Sequence, residues 1–127
     1  MQFKIYVRAL IKNSDNQVLL IQKQPNQKIA AGKWILPSGT VDFGEDPVDA
    51  LSRELKEEIN FTLENAVLME TETIILGDVH WLGLYYKVHG SVDTILNLEP
   101  EKHAHVDWVS LDFAKNHLNP EIYKHIT

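Results

Sequence analysis

Residues 39–61 read GTVDFGEDPVDALSRELKEEINF, a loop with two glycines that runs into one amphipathic helix. The helix is predicted over residues 47–59 because apolar side chains recur every three or four positions, at Val48, Leu51, Leu55 and Ile59. Asp46 is a plausible N-cap, and Pro47 suits the first helical turn. Asn60 follows the helix and tolerates the left-handed conformation in which many helices end. Local residues therefore predict both ends of one central helix.

Three glutamates of this helix share one face. Glu54, Glu57 and Glu58 are three and four residues apart, and they flank the apolar stripe at the edge of the core. Like charges at this spacing cost roughly a few tenths of a kcal/mol each, and a divalent cation reverses that sign. Converging carboxylates suit Mg²⁺ or Mn²⁺, through which an acidic helix can bind a phosphate. The Gly39 carbonyl is a plausible further ligand, and a solvated acidic face is the alternative interpretation.

Two charged residues are predicted to hold the loop against the helix. Glu45 lies near the helix N-terminus, where negative charge is favourable. Arg53 is adjacent to Glu54 but points to another part of the helix surface, from which it can reach back to Glu45. Gly39 and Gly44 allow the backbone to approach a ligand or metal closely.

The spacing of these residues resembles the Nudix box, Gly-x5-Glu-x7-Arg-Glu-U-x-Glu-Glu-x-Gly-U, where U is bulky and aliphatic or similar. The matching residues are Gly39, Glu45, Arg53, Glu54, Leu55, Glu57 and Glu58. The upstream segment 34–37, Trp-Ile-Leu-Pro, resembles the one that usually leads into the box. Asn60 replaces the box glycine, and Ser38 replaces a common glycine before the box. Because Asn accepts positive φ and no carboxylate is lost, activity is expected to be retained.

The resemblance implies an α+β fold, a Nudix-type α/β/α sandwich with a mixed β-sheet and a central catalytic loop-helix-loop. A single domain is expected over residues 1–127. The implied cofactor is Mg²⁺ or Mn²⁺, and the implied reaction is hydrolysis of a nucleoside diphosphate linked to a group X. Its implied catalytic residues are Glu54, as general base and metal ligand, with Arg53 and Glu45. Its implied metal ligands also include Gly39, Glu57 and Glu58.

A later segment resembles one found in nucleotide-cleaning members of the family. It comprises residues 97–102 followed by the short strand 106–109. In those relatives a glutamate of this loop completes the metal site or acts as the base. Glu101 or Glu99 is the candidate here, and an exposed loop carboxylate is an equally weighted alternative.

Three further side chains are candidate substrate contacts. Lys23 follows the second strand, where relatives often carry arginine, and it is interpreted as a phosphate contact or a solvated lysine. Arg8 is a weaker candidate for a phosphate contact. His103 is a possible substrate contact, although it and His105 are expected to be surface residues on one face of a strand.

Hydrophobic patterning predicts the remaining elements. Residues 3–11 alternate with period two, which is typical of a strand with one buried face. The turn 13–16 leads to the apolar run 18–21, so the two strands are expected to form a hairpin. Other strands are predicted at 34–36, 67–76, 80–88 and 106–109, with helical turns at 111–117 and from Pro120.

Composition bounds the class of protein. The chain has 127 residues, no cysteine and a formal net charge of −6. Because the chain is acidic, charge repulsion disfavours duplex nucleic acid as a partner. No apolar run is long enough to span a membrane. The first residues lack the pattern of a secretory signal, and a reducing cytosol suits a chain without cysteine, so a cytoplasmic location is expected.

The leading hypothesis is a MutT-like pyrophosphohydrolase that converts a (deoxy)nucleoside triphosphate to a monophosphate and pyrophosphate, as a monomer or homodimer. A second enzyme hypothesis is hydrolysis of a nucleotide sugar, ADP-ribose or a dinucleoside polyphosphate. A third is a non-catalytic Nudix-fold nucleotide sensor, although the intact carboxylate set argues against it. Trimming of RNA 5′ ends ranks lower because no basic groove is evident.

Overall fold

The computed structural model describes residues 1–126. It contains seven strands and three helices within that range. In chain order they are β1 (Gln2–Leu10), β2 (Val18–Lys23), β3 (Trp34–Ile35), β4 (Ser38–Thr40), α1 (Pro47–Ile59), β5 (Leu63–Leu76), β6 (Val79–Gly90), β7 (His103–Val109), α2 (Leu111–His117) and α3 (Pro120–Tyr123). Four strands form one sheet in the order β4-β1-β6-β5, and three form another in the order β3-β2-β7. β1 runs parallel to β6, and the other pairs are antiparallel. The prediction of a mixed sheet is confirmed.

The sheets form the middle layer of a sandwich, because both faces of β1 and β2 are buried. Val7 and Ala9 pack in a core with α1, whereas Tyr6 and Leu10 pack in a second core with Ile122 of α3. The α/β/α architecture is therefore confirmed. The expectation that β1 buries only one face is wrong for its second half, since helices cover it on both sides.

The predicted hairpin is confirmed only at its turn, and its extension along β1 and β2 is wrong. β1 is already paired along both edges, with β4 on one side and β6 on the other. The chain continues past Leu10 and turns at residues 14–16, where the sequence places the turn, with an antiparallel bridge between Lys12 and Val18. Backbone hydrogen bonds from Leu19 to Ile11 at 3.0 Å and from Asn13 to Gln17 at 3.1 Å flank it, and β2 then continues in the other sheet. Pairing of β1 with the distant strand β6 thus limits the hairpin to the residues next to the turn.

Helix α1 spans the predicted residues, and its ends have the expected caps. Asp46 is the N-cap residue but makes no side-chain capping hydrogen bond, while Asn60 adopts the left-handed conformation with φ of 57°. Ser110 caps α2 by accepting a hydrogen bond from the backbone N–H of Phe113. Within residues 1–126, no helix is long and apolar enough to cross a membrane.

Candidate active site

A cleft of about 330 Å³ opens where the two sheets meet beside α1. Strands β1 and β4 of one sheet and β2 and β3 of the other contribute side chains to its walls. Its charged lining residues are Glu54, Glu58, Arg8, Lys23 and Lys102. The cleft therefore brings helix carboxylates and cations from three other parts of the chain into one cavity.

Strand β4 approaches α1 so closely that glycine is required at residue 39. A Cβ atom added to Gly39 would lie 2.1 Å from Cγ and 2.3 Å from Cδ of Glu54. The Glu54 side chain thus lies against the backbone of β4, and both residues line the cleft. This contact explains the glycine by packing, independently of any role for its carbonyl.

Arg53 ties the loop to the helix, as the sequence predicts. Its Nε and Nη2 atoms donate to the two carboxylate oxygens of Glu45 at 2.8 and 2.9 Å. Its Nη1 atom donates to Oε1 of Glu54 at 2.9 Å, and Nη2 donates to the Thr40 carbonyl at 3.3 Å. Hydrogen bonding from Arg53 lowers the pKa of Glu45 to about 2. One guanidinium thereby positions the loop, the end of β4 and the Glu54 carboxylate.

The three helix glutamates do not converge on one point. Glu57 is 56% exposed and lies 3.5 Å from Arg53, whereas Glu58 is buried. Among residues 1–126, no three histidine, aspartate or glutamate side chains are gathered as a ready metal cage. Nη1 of Arg53 contacts both Glu54 and Glu57, at 2.9 and 3.5 Å, and its charge offsets their mutual repulsion.

Glu58 is an ionisable group in an unfavourable place for a lone charge. Burial raises its pKa to about 8, and the charges of Glu54 and Glu99 add to that rise. Its Oε2 atom is buried without a hydrogen-bond partner in the described part of the chain. Burial also raises the pKa of Glu54, although Arg53 opposes the change. Burial thus favours the protonated form of Glu58 unless a cation is nearby, whereas Glu54 already has Arg53 as its counter-ion.

The loop after β6 brings Glu99, rather than Glu101, to this acidic end. Glu99 raises the pKa of both Glu54 and Glu58 by its charge, and its side chain is 23% exposed. The loop is anchored to α1 because the backbone N–H of Leu98 donates to the Glu58 carbonyl at 2.9 Å. Neither carboxylate lines the cleft, but Glu101 is exposed whereas Glu99 is half-buried and acts on both helix glutamates, so of the two open candidates the geometry favours Glu99.

The expectation that His103 is a surface residue is wrong. It is 2% exposed, its Nε2 atom lies 3.8 Å from Oε1 of Glu58, and it does not line the cleft. Burial lowers its pKa, and Lys23 lowers it further. A register shift between Gln22 and Lys23 in the pairing of β2 with β7 separates the environments of His103 and His105, of which only His105 is exposed.

Lys23 and Arg8 both line the cleft, where the sequence predicts substrate contacts. Lys102 was not predicted as a site residue, yet it also lines the cleft and pairs with Glu99 at 3.4 Å. Lys102 lies close to Glu99 and Glu101 in the sequence of the later loop, and this position could have identified it as a site residue. Trp81 contributes an aromatic wall.

A family model for the NUDIX domain matches residues 2–127, which include the loop, α1 and the later loop. The chain belongs to the Nudix family. This Nudix chain is also similar to the solved MutT NUDIX hydrolase from Burkholderia pseudomallei, with 32% identity and a TM-score of 0.79. That alignment covers 88% of this chain and 86% of the other. A MutT protein from Methanosarcina mazei Go1 shares the fold at 23% identity, with a TM-score of 0.79 over 98% of this chain and 91% of the other.

Curated relatives of the Nudix chain match over about half its length. An 8-oxo-dGTP diphosphatase from Haemophilus influenzae is 43% identical over 62 residues, which are 49% of this chain and 45% of that protein. An RNA pyrophosphohydrolase from Ruthia magnifica is 37% identical over 67 residues, which are 53% of this chain and 35% of that protein. The matched part therefore spans less than half of either relative.

Proposed function

We propose that this Nudix chain hydrolyses a diphosphate linkage in a nucleoside diphosphate-X substrate with the help of Mg²⁺ or Mn²⁺. The substrate class of this proposal is a (deoxy)nucleoside triphosphate, which is cleaved to a monophosphate and pyrophosphate. The observation that supports this proposal is that the half-buried Glu54 and the buried Glu58 line one cleft together with Lys23 and Lys102. Carboxylates at one end of a cleft suit a cation, and lysines beside them suit phosphate oxygens.

The residues at the acidic end fit a hard divalent cation. The buried Oε2 atom of Glu58 has no partner among residues 1–126, and Glu54 and Glu99 add negative charge nearby. Glu57, which contacts Arg53 at 3.5 Å, and the carbonyl of Gly39, a residue that lines the cleft, are two further candidate oxygen donors. When bound, the ion supplies a more acidic water and neutralises charge on the phosphate oxygens.

The chain's own groups account for the other parts of the reaction. Lys23 and Lys102 bind the phosphate chain, while Glu54 accepts the proton of the attacking water. The water oxygen forms a new bond to phosphorus, the bridging P–O bond breaks, and the leaving phosphate takes the electron pair. Burial raises the pKa of Glu54, which makes it a stronger base than an exposed carboxylate. Arg53 holds Glu54 in place at 2.9 Å.

The test is a substrate panel assayed with Mg²⁺ and with Mn²⁺. It contains nucleoside triphosphates, nucleotide sugars, ADP-ribose, dinucleoside polyphosphates and an RNA with a 5′-triphosphate. Metal-dependent release of monophosphate and pyrophosphate from triphosphates is the expected result. Two phosphorylated fragments from the other small molecules would favour the second enzyme hypothesis, and RNA cleavage alone would favour 5′-end trimming. Ligand-induced stabilisation without any hydrolysis would favour a sensor and contradict the proposal.

Gly39→Ala is expected to lower kcat by about a hundredfold. The new methyl group would overlap the Glu54 side chain, and displacing a catalytic group by about 1 Å can have an effect of this size. Steady-state kinetics measures the loss, and circular dichroism reports whether the fold is kept. Turnover equal to that of the wild type in a folded variant would contradict the role given to Glu54.

Arg53→Lys is expected to lower kcat about tenfold to a hundredfold, because lysine keeps the charge but cannot bind Glu45 and Glu54 together. A double-mutant cycle with Glu45→Gln isolates this positioning effect. Since both substitutions break one network, their effects on kcat should be strongly non-additive. Simple additivity of the two effects would show that Arg53 does not act through Glu45.

Lys102→Met is expected to raise KM about tenfold or more with a smaller change in kcat, because one charge-assisted contact to phosphate is lost. Lys124→Met is the matched control. Lys124 is exposed, pairs with Glu121 at 2.7 Å and does not line the cleft. Equal KM values for the two variants would remove Lys102 from the substrate site.

A further inference from the structure

Arg8 carries a guanidinium that is not used by the reaction described above. Its Nε atom is buried and has no hydrogen-bond partner in the described part of the chain. The Cζ atom lies 4.8 Å from the ring centroid of Tyr6 and 5.7 Å from that of Tyr85. No ion pair joins Arg8 to a carboxylate within residues 1–126. Two tyrosine rings therefore hold a planar donor group whose hydrogen-bonding capacity is not used.

A neighbouring carboxylate lowers the net charge around this guanidinium. Glu72 accepts hydrogen bonds from the hydroxyls of Tyr6 and Tyr85 at 2.7 and 2.9 Å, and from Nδ2 of Asn119 at 3.0 Å. Burial opposes ionisation of Glu72, but these bonds and the charge of Arg8 outweigh it and lower the pKa. A cationic and an anionic group side by side suit a neutral polar ligand better than a phosphate.

Arg8 also lies at the junction of two cavities. It lines the main cleft and a second cavity of about 200 Å³ that Glu72, Tyr85 and Asn119 line as well. The main cleft has an aromatic and aliphatic lining that includes Tyr6, Trp81, Ile74 and Leu76. A flat, largely apolar ring with a polar edge matches these surroundings.

We propose that Arg8 reads the edge of the nucleobase and selects bases that present two adjacent hydrogen-bond acceptors. This inference rests on the proposed nucleotide substrate and adds base specificity to it. Guanine offers O6 and N7, and cytosine offers O2 and N3, to the two parallel N–H donors of a guanidinium. Adenine places a donor amine beside N7, and thymine places N3–H between its two carbonyls. Guanine and cytosine nucleotides are therefore preferred over adenine and thymine nucleotides.

The test is calorimetric binding of the α,β-methylene analogues of dGTP, dCTP, dATP and dTTP, with Mg²⁺ present. The wild type should bind the guanine and cytosine analogues about 5- to 150-fold more tightly than the other two. Arg8→Lys keeps the charge but loses the planar pair of donors, so the preference should largely disappear. Lys23→Met is the control, because a lost phosphate contact should weaken all four analogues equally and keep the preference.

Two results would overturn the proposal: a wild type without base preference, or an Arg8→Lys variant that weakens all four analogues equally. The second would assign Arg8 to phosphate binding or to packing. Because the analogues resist cleavage, this measurement does not depend on turnover. A parallel assay of dGTP hydrolysis by the wild type tests the proposed reaction separately, so that the two failures can be distinguished.

Discussion

Glu58→Gln is expected to lower kcat by about 10²- to 10³-fold while stabilising the metal-free protein. The loss of turnover follows from removal of a carboxylate that would hold the cation, an effect worth several kcal/mol of transition-state stabilisation. The gain in stability follows from burial, because the wild type must keep either a proton or an unpaired charge on Glu58. Glutamine has nearly the same shape and carries no charge.

The size of the gain in unfolding free energy depends on pH. The folded-state pKa of Glu58 is raised from 4.5 to about 8, so the wild type loses stability as pH rises from about 4.5 towards 8. The variant lacks this loss. Denaturant unfolding in EDTA at pH 5 and pH 8 should show a larger advantage of Glu58→Gln at pH 8, on the order of 2 kcal/mol. Lower stability of the variant at pH 8 would contradict this account of the site.

Glu54→Gln is expected to lower kcat by about 10²- to 10⁴-fold, the usual contribution of a general base. Glutamine can still accept a hydrogen bond from Arg53, which donates to Oε1 in the wild type at 2.9 Å. The loop should therefore keep its position, and only proton acceptance and negative charge are lost. Near-wild-type turnover of a folded Glu54→Gln variant would remove Glu54 from the chemistry.

Glu57→Gln is the comparison variant for both, because Glu57 is a candidate metal ligand whose side chain does not line the cleft. Glu57 lies on the same helix and has the same chemistry, but its side chain is 56% exposed and does not line the cleft. Its effect on kcat should be smaller than those of Glu54→Gln and Glu58→Gln. A loss as large as theirs would mean that Glu57 moves towards the cation when the metal binds, as the sequence predicts for a ligand.

The features that sequence predicts well are the local ones. The two ends of α1, its apolar spacing and the contact of Arg53 with Glu45 depend on residues that are close together in the chain. The structure confirms these three predictions. The hairpin does not extend along β1 because that strand pairs with β6, in a register that joins residues such as Val7 and Leu84. Local alternation contains no information about which distant strand competes for an edge.

The parts of the site that were missed depend on contacts across the fold. Glu72 becomes the centre of a hydrogen-bond cluster only because β1, β6 and the segment before α3 meet there. His103 is buried because a register shift changes which residues face the core. The choice between Glu99 and Glu101 depends on how the loop is anchored to α1. Neither spacing nor residue type distinguishes these cases.

The most direct test of the central claim is Mn²⁺ binding followed by electron paramagnetic resonance. The wild type should bind Mn²⁺ at millimolar concentrations or below, and Glu58→Gln should bind it at least about tenfold more weakly. Added nucleoside triphosphate should strengthen binding to the wild type. Absence of binding by the wild type in this range, or equal affinity of the two proteins, would contradict the claim that these carboxylates form a metal site.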